Sequence, residues 1–118
     1  MNADRQSLGR AGEKAAAKYL RRNGYRIIET NWRCPIGEID IIARKDDILV
    51  FCEVKARQNL AFGLPEEAVT ANKQARLRKL GDYYWNFKSD KKQNPRFDVL
   101  SIIARSGGLE IEHIEDAF

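Results

Sequence analysis

Two short apolar segments separated by a polar turn constrain the fold of this chain more than any other feature. Residues 36–44 and 48–56 are rich in aliphatic side chains, and Lys45, Asp46 and Asp47 lie between them. Two such segments around a tight polar turn are typical of an antiparallel β-hairpin. Both segments also carry acidic residues near their centres, and burying a carboxylate without a partner is costly. The predicted hairpin therefore has charge where a sheet normally has apolar side chains.

The turn determines which residues face each other across the hairpin. A two-residue turn and a four-residue loop give the same register, in which Asp40 lies directly opposite Glu53 and Glu38 opposite Lys55. Directly opposed residues have Cβ atoms about 4.5–5.5 Å apart. Because side chains alternate along a strand, these four point to one face. The apolar neighbours predicted to point to the other face are Ile39, Ile41, Cys52 and Val54.

Asp40 and Glu53 form a candidate metal site. Two carboxylates this close repel each other unless a cation joins them. Oxygen ligands without histidine or thiolate favour a hard ion such as Mg²⁺ or Mn²⁺. Lys55, two residues after Glu53, can bring an ammonium group to the same spot. A divalent ion beside an ammonium group is suited to phosphodiester hydrolysis, since the ion activates water and the ammonium stabilises developing charge.

The alternative for the same four residues is purely structural. Glu38 and Lys55 can form an ordinary cross-strand ion pair. Asp40 and Glu53 can then be solvated at the end of the sheet. The spacing of these residues alone leaves both interpretations open.

A third carboxylate, Glu13, lies in a helix predicted over residues 7–23. Ser7 is placed to cap this helix, and Asn23-Gly24 to end it. Its apolar stripe is formed by Leu8, Ala11, Ala15, Ala16, Tyr19 and Leu20. Glu13 lies at the edge of this stripe, so a helix packed on the sheet would bring it to the metal. The alternative is an exposed Glu13 that pairs with neighbouring lysines.

The remaining segments predict the fold class. They are strands over residues 25–32, 97–104 and 109–114, a loop over 58–64, and a helix from Pro65 to about residue 88. With the hairpin, the element order is α-β-β-β-α-β-β. A hairpin-rich first half and a helical crossover to a later strand predict an α/β fold with a mixed central sheet and flanking helices. A chain of 118 residues without repeats fits a single domain over residues 1–118.

Charge and composition narrow the function classes. Residues 57–96 hold nine basic and four acidic residues, which predicts a positive surface that attracts a polyanion such as nucleic acid. A basic protein that binds no nucleic acid is the alternative. Cys34, Cys52 and His113 are too few for a disulfide framework, a zinc site or a two-histidine mechanism. Without an apolar span or a secretion signal, we expect a cytoplasmic protein that does not bind membranes.

Several segments together resemble a known family. They are residues 9–13 (GRAGE), 37–43 (GEIDIIA), 50–57 (VFCEVKAR), 68–74 (AVTANKQ) and 96–99 (RFDV). The chain resembles the YraN-like family of small uncharacterised bacterial proteins over nearly its whole length. The resemblance implies a restriction-endonuclease-like fold of the PD-(D/E)xK type, similar to archaeal Holliday-junction resolvases.

The resemblance also implies a site. Glu13 matches the helical glutamate of the pattern, Asp40 the strand aspartate, and Glu53 and Lys55 the E-x-K pair. Ile39 departs from the pattern, which has proline before the aspartate. The implied catalytic residues are Glu13, Asp40, Glu53 and Lys55, and the implied ligands of Mg²⁺ or Mn²⁺ are Asp40, Glu53 and Glu13. Since resolvases act as dimers on two-fold symmetric junctions, a homodimer is one implied state.

Three further residues are predicted to contact nucleic acid. Arg57 follows the E-x-K strand, while Lys73 and Gln74 lie on the second helix, from which they can reach a phosphate beside the site. The alternatives are a solvated Arg57 and a Lys73 whose stem lies along the apolar stripe of the second helix, formed by Val69, Leu80 and Tyr84.

These observations predict a nucleic-acid-binding protein that acts as a divalent-metal-dependent endonuclease. DNA is favoured over RNA as the partner, and the resemblance to resolvases points to branched DNA. Two alternatives stay open. One is a module on the same fold that binds nucleic acid without cutting it, and the other is an interaction protein whose carboxylates only form ion pairs.

Overall fold

The described part of the chain forms two helices and five strands. A computed structural model describes residues 2–57 and 70–118, with side chains from residue 9 onward. In chain order the elements are α1 (Asn2–Arg22), β1 (Arg26–Cys34), β2 (Gly37–Lys45), β3 (Ile48–Arg57), α2 (Ala71–Phe87), β4 (Asn94–Arg105) and β5 (Gly108–Ile114). This is the predicted order, and each predicted strand end is confirmed to within three residues. Neither of these helices combines the length and the apolar character that crossing a membrane requires.

The five strands form one mixed sheet in the order β1-β2-β3-β4-β5. Three of the neighbouring pairs are antiparallel, whereas β3 and β4 run parallel from the pair Ile48–Asn94 to the pair Arg57–Ile103. A parallel pair cannot be joined by a tight turn, so the chain must cross over between these strands. Because α2 lies in this crossover, the sheet has the mixed, helix-flanked architecture of the predicted restriction-endonuclease-like α/β fold.

The two helices cover opposite faces of the sheet. On β3, Val50 and Cys52 belong to the apolar cluster that includes α1, whereas Leu49 and Phe51 belong to the cluster that includes α2. Successive side chains of a strand point to opposite faces, so this division assigns one helix to each face. The helix residues that are almost fully buried against the sheet are Ala16, Leu20 and Leu80.

The outer strands β1 and β5 form the two edges of the sheet. The pairing of β1 with β2 shifts register between Ile27 and Glu29, and Ile28 at this irregularity is 40% exposed. On β5, Glu110 and Glu112 are both exposed. One edge is therefore irregular and the other is acidic.

The end of α1 confirms the predicted stop signal. Gly24 adopts a left-handed φ of 87°, which glycine reaches without steric cost. The N–H of Gly24 donates to the carbonyl of Arg21, and the N–H of Tyr25 donates to that of Leu20. These two bonds are the Schellman motif, and they turn the chain from α1 into β1.

The predicted starts of both helices are wrong. α1 begins at Asn2, so Ser7 lies inside the helix and does not cap it. α2 begins at Ala71, because Thr70 is extended (φ −66°, ψ 164°) and caps the helix with its side chain. A threonine that satisfies a backbone N–H of the first turn is a strong helix start. Pro65 and the predicted loop before it lie outside the described residues.

A buried carboxylate on β4 is satisfied by four hydrogen bonds. Asp98 is fully buried, and Arg96 donates to both of its oxygens, at 2.9 and 2.7 Å. His113 Nε2 lies 2.6 Å from Oδ2, and the N–H of Asp116 donates to Oδ1 at 3.0 Å. Burial by itself would raise the pKa of Asp98, but the hydrogen bonds from His113 and Arg96 hold it below its usual value. Since Arg96 also donates to the Tyr25 hydroxyl at 2.6 Å, the network ties β4 and β5 to the start of β1.

We expect Asp98→Asn to lower the free energy of unfolding by about 3 kcal/mol, because Arg96 would keep its charge but lose its counter-charge. Urea unfolding at neutral pH measures this loss. The matched control is Asp116→Asn, an exposed position, which should change the free energy by less than about 0.5 kcal/mol. Equal losses in the two variants would contradict the role assigned to the Asp98 network.

The lowered pKa of Asp98 also predicts a pH dependence. The folded protein favours the ionised carboxylate, so the stabilisation is complete above the unfolded-state pKa of about 3.9 and is lost as the pH falls through the lower folded-state value. The difference in unfolding free energy between the wild type and Asp98→Asn should be fully present at about pH 5 and shrink below about pH 4. Urea unfolding over this range measures it, and a difference that grows on acidification would contradict the sign.

Candidate active site

A cavity of about 490 Å³ lies between the hairpin strands and the first turns of α2. Its apolar wall includes Leu77 and Leu80 of α2. The charged side chains that line it are Glu38, Asp40, Glu53, Lys73 and Arg76. The cavity therefore brings two of the predicted metal ligands together with basic residues of the second helix.

The β2–β3 ladder confirms the predicted register up to the point where the site begins. It runs from the pair Lys45–Ile48 to the pair Ile41–Cys52. The predicted pairs beyond it, which include Asp40 with Glu53, are not part of the ladder. Instead, the carboxylate of Asp40 accepts a hydrogen bond of 2.8 Å from the backbone N–H of Val54. A side chain thus takes over a backbone donor of the neighbouring strand where the ladder ends.

Asp40 and Glu53 line the same cavity, as their positions on the hairpin predicted. Ile41 and Cys52 belong to the α1-side cluster, as predicted. Ile39 does not, since it packs with its cross-strand partner Trp32 in the α2-side cluster. Regular alternation therefore fails on β2 between Ile39 and Ile41. The opposing strand departs from regular geometry here too, because Asn31 adopts a left-handed φ of 51°.

The environment of Asp40 disfavours its ionised form. Burial raises the pKa of Asp40 to about 7, helped by the negative charge of Glu53 and, more weakly, by those of Glu13 and Glu38. The hydrogen bond from Val54 acts in the opposite direction. A cation close to Asp40 would oppose both causes and favour its ionised form.

Glu53 is held by two lysines. Its side chain is 8% exposed, and its Oε1 atom lies 2.6 Å from Nζ of Lys73 and 3.3 Å from Nζ of Lys55. Burial and the neighbouring Lys73 ammonium lower the pKa of Lys55. Burial would also lower the pKa of Lys73, but its contacts with Glu53 and Lys55 outweigh burial and raise it. Lys73 is therefore the principal counter-ion of Glu53.

The predicted structural ion pair between Glu38 and Lys55 is wrong. Glu38 accepts a hydrogen bond of 2.7 Å from Arg33, which lies opposite it on β1. Lys55 is turned toward Glu53 of its own strand instead. The β2–β3 ladder ends before these positions, so Glu38 and Lys55 are not paired across it.

Glu13 lies near the cavity but does not line it. Gly12 lets α1 approach β3 closely, since a Cβ added there would lie 3.0 Å from Cβ of Ala56. The carboxylate of Glu13 accepts a hydrogen bond of 3.3 Å from Asn31, and its charge contributes to the raised pKa of Asp40. Within residues 2–57 and 70–118, no three acidic, histidine or cysteine side chains converge in a metal-binding arrangement. Two carboxylates, with Glu13 behind them, are what the described structure offers.

Of the three residues predicted to contact nucleic acid, one lines the cavity and the other two lie elsewhere on β3 and α2. Lys73 lies in the cavity wall, Arg57 ends β3, and Gln74 follows Lys73 on α2. Thr70 and Arg76 also line the cavity, and neither was among the predicted site residues. The Thr70 hydroxyl accepts a hydrogen bond from the Lys73 N–H and caps α2. A threonine is a common helix-capping residue, so Thr70 was the sequence signal for a first turn of α2 at this position.

We expect Asp40→Asn to stabilise the protein by about 1 kcal/mol in metal-free buffer at pH 8. Asparagine keeps an acceptor for the Val54 N–H and removes a charge that Glu53 repels. Urea unfolding in the presence of EDTA measures the effect. Glu38→Gln is the matched control, because Glu38 lines the same cavity but is paired with Arg33, and it should give no stabilisation. A destabilised Asp40→Asn protein would contradict this electrostatic description.

Comparisons with known proteins identify relatives across the chain. A family model described as "Uncharacterised protein family UPF0102" matches residues 12–102. A "UPF0102 protein" from Syntrophus aciditrophicus is 48% identical over 110 residues, which cover 93% of this chain and 87% of that protein. A protein of the same name from Dictyoglomus thermophilum is 43% identical and covers 96% of this chain and 98% of its own. One from Syntrophotalea carbinolica is 43% identical over 118 residues, with coverage of 100% and 96%.

Proposed function

The chain belongs to UPF0102, a family whose name states no activity, and from the geometry of its cavity we propose that it is a divalent-metal-dependent endonuclease that hydrolyses phosphodiester bonds in DNA. One observation carries the proposal: the carboxylates of Asp40 and Glu53 line a single cavity beside two lysines. Paired carboxylates with an adjacent ammonium are the groups that metal-assisted phosphodiester hydrolysis needs.

The residues present fit Mg²⁺ or Mn²⁺. Asp40 and Glu53 supply oxygen ligands only, and burial, together with the negative charge of Glu53, raises the pKa of Asp40, an effect that a bound cation would oppose. Mg²⁺ is commonly held by one or two carboxylates, with water and substrate phosphate as its other ligands. Asp40 and Glu53 would therefore hold the ion, with Glu13 supporting it through water. When bound, the ion supplies Lewis-acid polarisation of the phosphate and activation of water.

The basic residues around the cavity have separate roles in this proposal. Lys55, beside Glu53, orients the attacking water or stabilises the charge that develops on the phosphate. Lys73 and Arg76 on α2 bind the phosphates on either side of the scissile bond, where their positive charge offsets the repulsion between DNA and the carboxylates. Arg57 and Gln74 extend this phosphate-binding surface beyond the cavity.

The proposal extends to the DNA substrate, the oligomeric state and the cellular compartment. The likeness of the site motifs to those of Holliday-junction resolvases favours DNA over RNA and branched over linear DNA. A two-fold symmetric junction would be cut by a homodimer. The cysteines of the described residues, Cys34 and Cys52, are free thiols, which suits the reducing cytoplasm in which we place the protein.

A second candidate function has one observation in its favour. Glu53 is already neutralised by Lys55 and Lys73, and among the described residues no three acidic, histidine or cysteine side chains are grouped so that they could hold a metal ion. A module that binds branched DNA without cutting it would need no metal ion. Incubation with linear, flapped and four-way DNA, with and without Mn²⁺, separates the two functions. Cleavage that requires Mn²⁺ supports the endonuclease, and binding without cleavage supports the module.

We expect Glu53→Gln and Lys55→Ala to separate metal binding from hydrolysis. Glu53→Gln removes the charge of a ligand, so Mn²⁺ should bind at least about tenfold more weakly, which corresponds to 1.4 kcal/mol. Lys55→Ala keeps both carboxylates, so Mn²⁺ should still bind, while the cleavage rate falls by about 10²–10³. Titration calorimetry and single-turnover cleavage measure the two quantities.

The control for both variants is Glu112→Gln, an exposed position on β5 that should leave both quantities unchanged. Unchanged Mn²⁺ affinity in Glu53→Gln would remove this residue from the ligand set. Unchanged cleavage in Lys55→Ala would reduce Lys55 to a structural partner of Glu53.

We also expect DNA binding to weaken steeply with salt. Each phosphate that the protein neutralises contributes a slope of about −0.9 to the dependence of log affinity on log salt concentration. Arg76→Ala should make this slope shallower by about 1, because it removes one phosphate contact. Fluorescence anisotropy with a labelled four-way junction at several salt concentrations measures the slopes. An affinity that does not depend on salt would exclude phosphate contacts as the source of binding.

A further inference from the structure

Lys73 forms the shortest ion pair in the cavity, although it belongs to a different element from its partner. It lies in the first turn of α2, where its N–H donates to the capping Thr70 hydroxyl. Its ammonium reaches across the cavity to Oε1 of Glu53 at 2.6 Å, closer than the 3.3 Å of Lys55. The carboxylate that the proposed function assigns to a metal ion is thus neutralised in this structure by a lysine from the opposite wall.

We propose that Lys73 is a displaceable counter-ion, which neutralises Glu53 in the metal-free protein and is released by a divalent ion to bind a DNA phosphate at the same cavity. The inference rests on the proposed function and adds to it an exchange of partners. The residue that holds Glu53 before the ion binds becomes part of the phosphate-binding surface afterwards.

Charge and geometry both favour the exchange. A divalent ion shared by Asp40 and Glu53 needs the oxygen charge that Lys73 now neutralises. A divalent ion and two ammonium groups around one carboxylate would repel one another. One lysine must therefore leave Glu53 when the ion binds, or the ion binds weakly.

Lys73 is better placed to leave than Lys55. Lys55 lies two residues from Glu53 on the same strand, and its side chain is 26% exposed. The side chain of Lys73 is 34% exposed and extends from a helix across the cavity, so its long, flexible stem can swing toward solvent. Its departure would leave the ammonium near Arg76, which lines the same cavity. A phosphate there would meet two positive charges.

The first test compares Mn²⁺ affinity in matched variants by titration calorimetry. Lys73→Met removes the competing charge and keeps the length of the stem, so Mn²⁺ should bind about tenfold more tightly, as expected when a charge-assisted hydrogen bond no longer competes. Lys73→Gln should shift the affinity in the same direction, and Lys73→Arg should stay near the wild type. Lys79→Met is the charge-matched control, because Lys79 is exposed on α2 and has no place in the cavity lining.

The second test asks where the released ammonium goes. Binding of a labelled DNA duplex is measured against monovalent salt in EDTA and in Ca²⁺, an oxygen-seeking ion of the same charge. In EDTA, Lys73 is held by Glu53, so the wild type and Lys73→Met should have equal salt slopes. In Ca²⁺ the salt slope of the wild type should be steeper than that of Lys73→Met by about 0.9, which corresponds to one phosphate contact.

The outcomes distinguish this inference from the proposed function. Tighter Mn²⁺ binding in Lys73→Met but not in Lys79→Met supports the exchange, even if the wild type binds Mn²⁺ too weakly to measure. Unchanged or weaker Mn²⁺ binding in Lys73→Met overturns the exchange. Equal salt slopes for the wild type and Lys73→Met in Ca²⁺ overturn it as well. If Glu53→Gln leaves Mn²⁺ affinity unchanged, the proposed metal site fails whatever Lys73→Met does. If Glu53→Gln weakens binding and Lys73→Met has no effect, only the exchange fails.

Discussion

The parallel pairing of β3 with β4 is the constraint on which the site depends. β3 lies in the middle of the sheet, with antiparallel β2 on one side and parallel β4 on the other. A parallel neighbour requires a crossover, and this crossover carries α2 onto the face to which Glu53 points. The cap at Thr70 then fixes where the helix begins, and with it the position of Lys73. The charged cavity is thus a consequence of topology and of one capping residue.

The parts of the fold that depend on local signals could be predicted from the sequence. The register of the hairpin follows from its turn, and the end of α1 follows from a glycine that can adopt a left-handed conformation. The observed start of α2 was missed because Thr70 caps the helix only in its extended conformation, which the sequence alone does not show. The prediction that Ser7 caps α1 was wrong because a residue with capping chemistry is also tolerated inside a helix.

The candidate site was predictable only in part. The shared face of Asp40 and Glu53 follows from strand alternation, which is a local rule. The contact between Lys73 and Glu53 joins residues far apart in the chain, and no spacing rule encodes it. The lysine in an otherwise apolar helix stripe was the available clue, because such a residue either extends to solvent or finds a buried partner. The loss of alternation at Ile39 was hidden as well, since it accompanies a backbone irregularity at Asn31 of the neighbouring strand.

Two groups of buried carboxylates in this molecule differ in how completely they are compensated. Asp98 receives hydrogen bonds from Arg96, His113 and a backbone N–H, and its charge is favoured in the folded state. Asp40 receives one backbone hydrogen bond and is surrounded by other acids. The saturated group has no capacity left for a ligand, so it acts as a structural tie. Asp40 keeps acceptor capacity, which is what the proposed metal site requires of it.

The two edges of the sheet bear on how the protein behaves when concentrated. An exposed edge strand offers unpaired backbone groups that can template strand addition from another chain and start aggregation. On β1 the register shift around Ile28 interrupts this template, and on β5 the exposed Glu112 places a negative charge on the edge that an identical strand would meet. In the part of the chain that the structure describes, each edge strand thus carries a feature that disfavours the addition of a further strand.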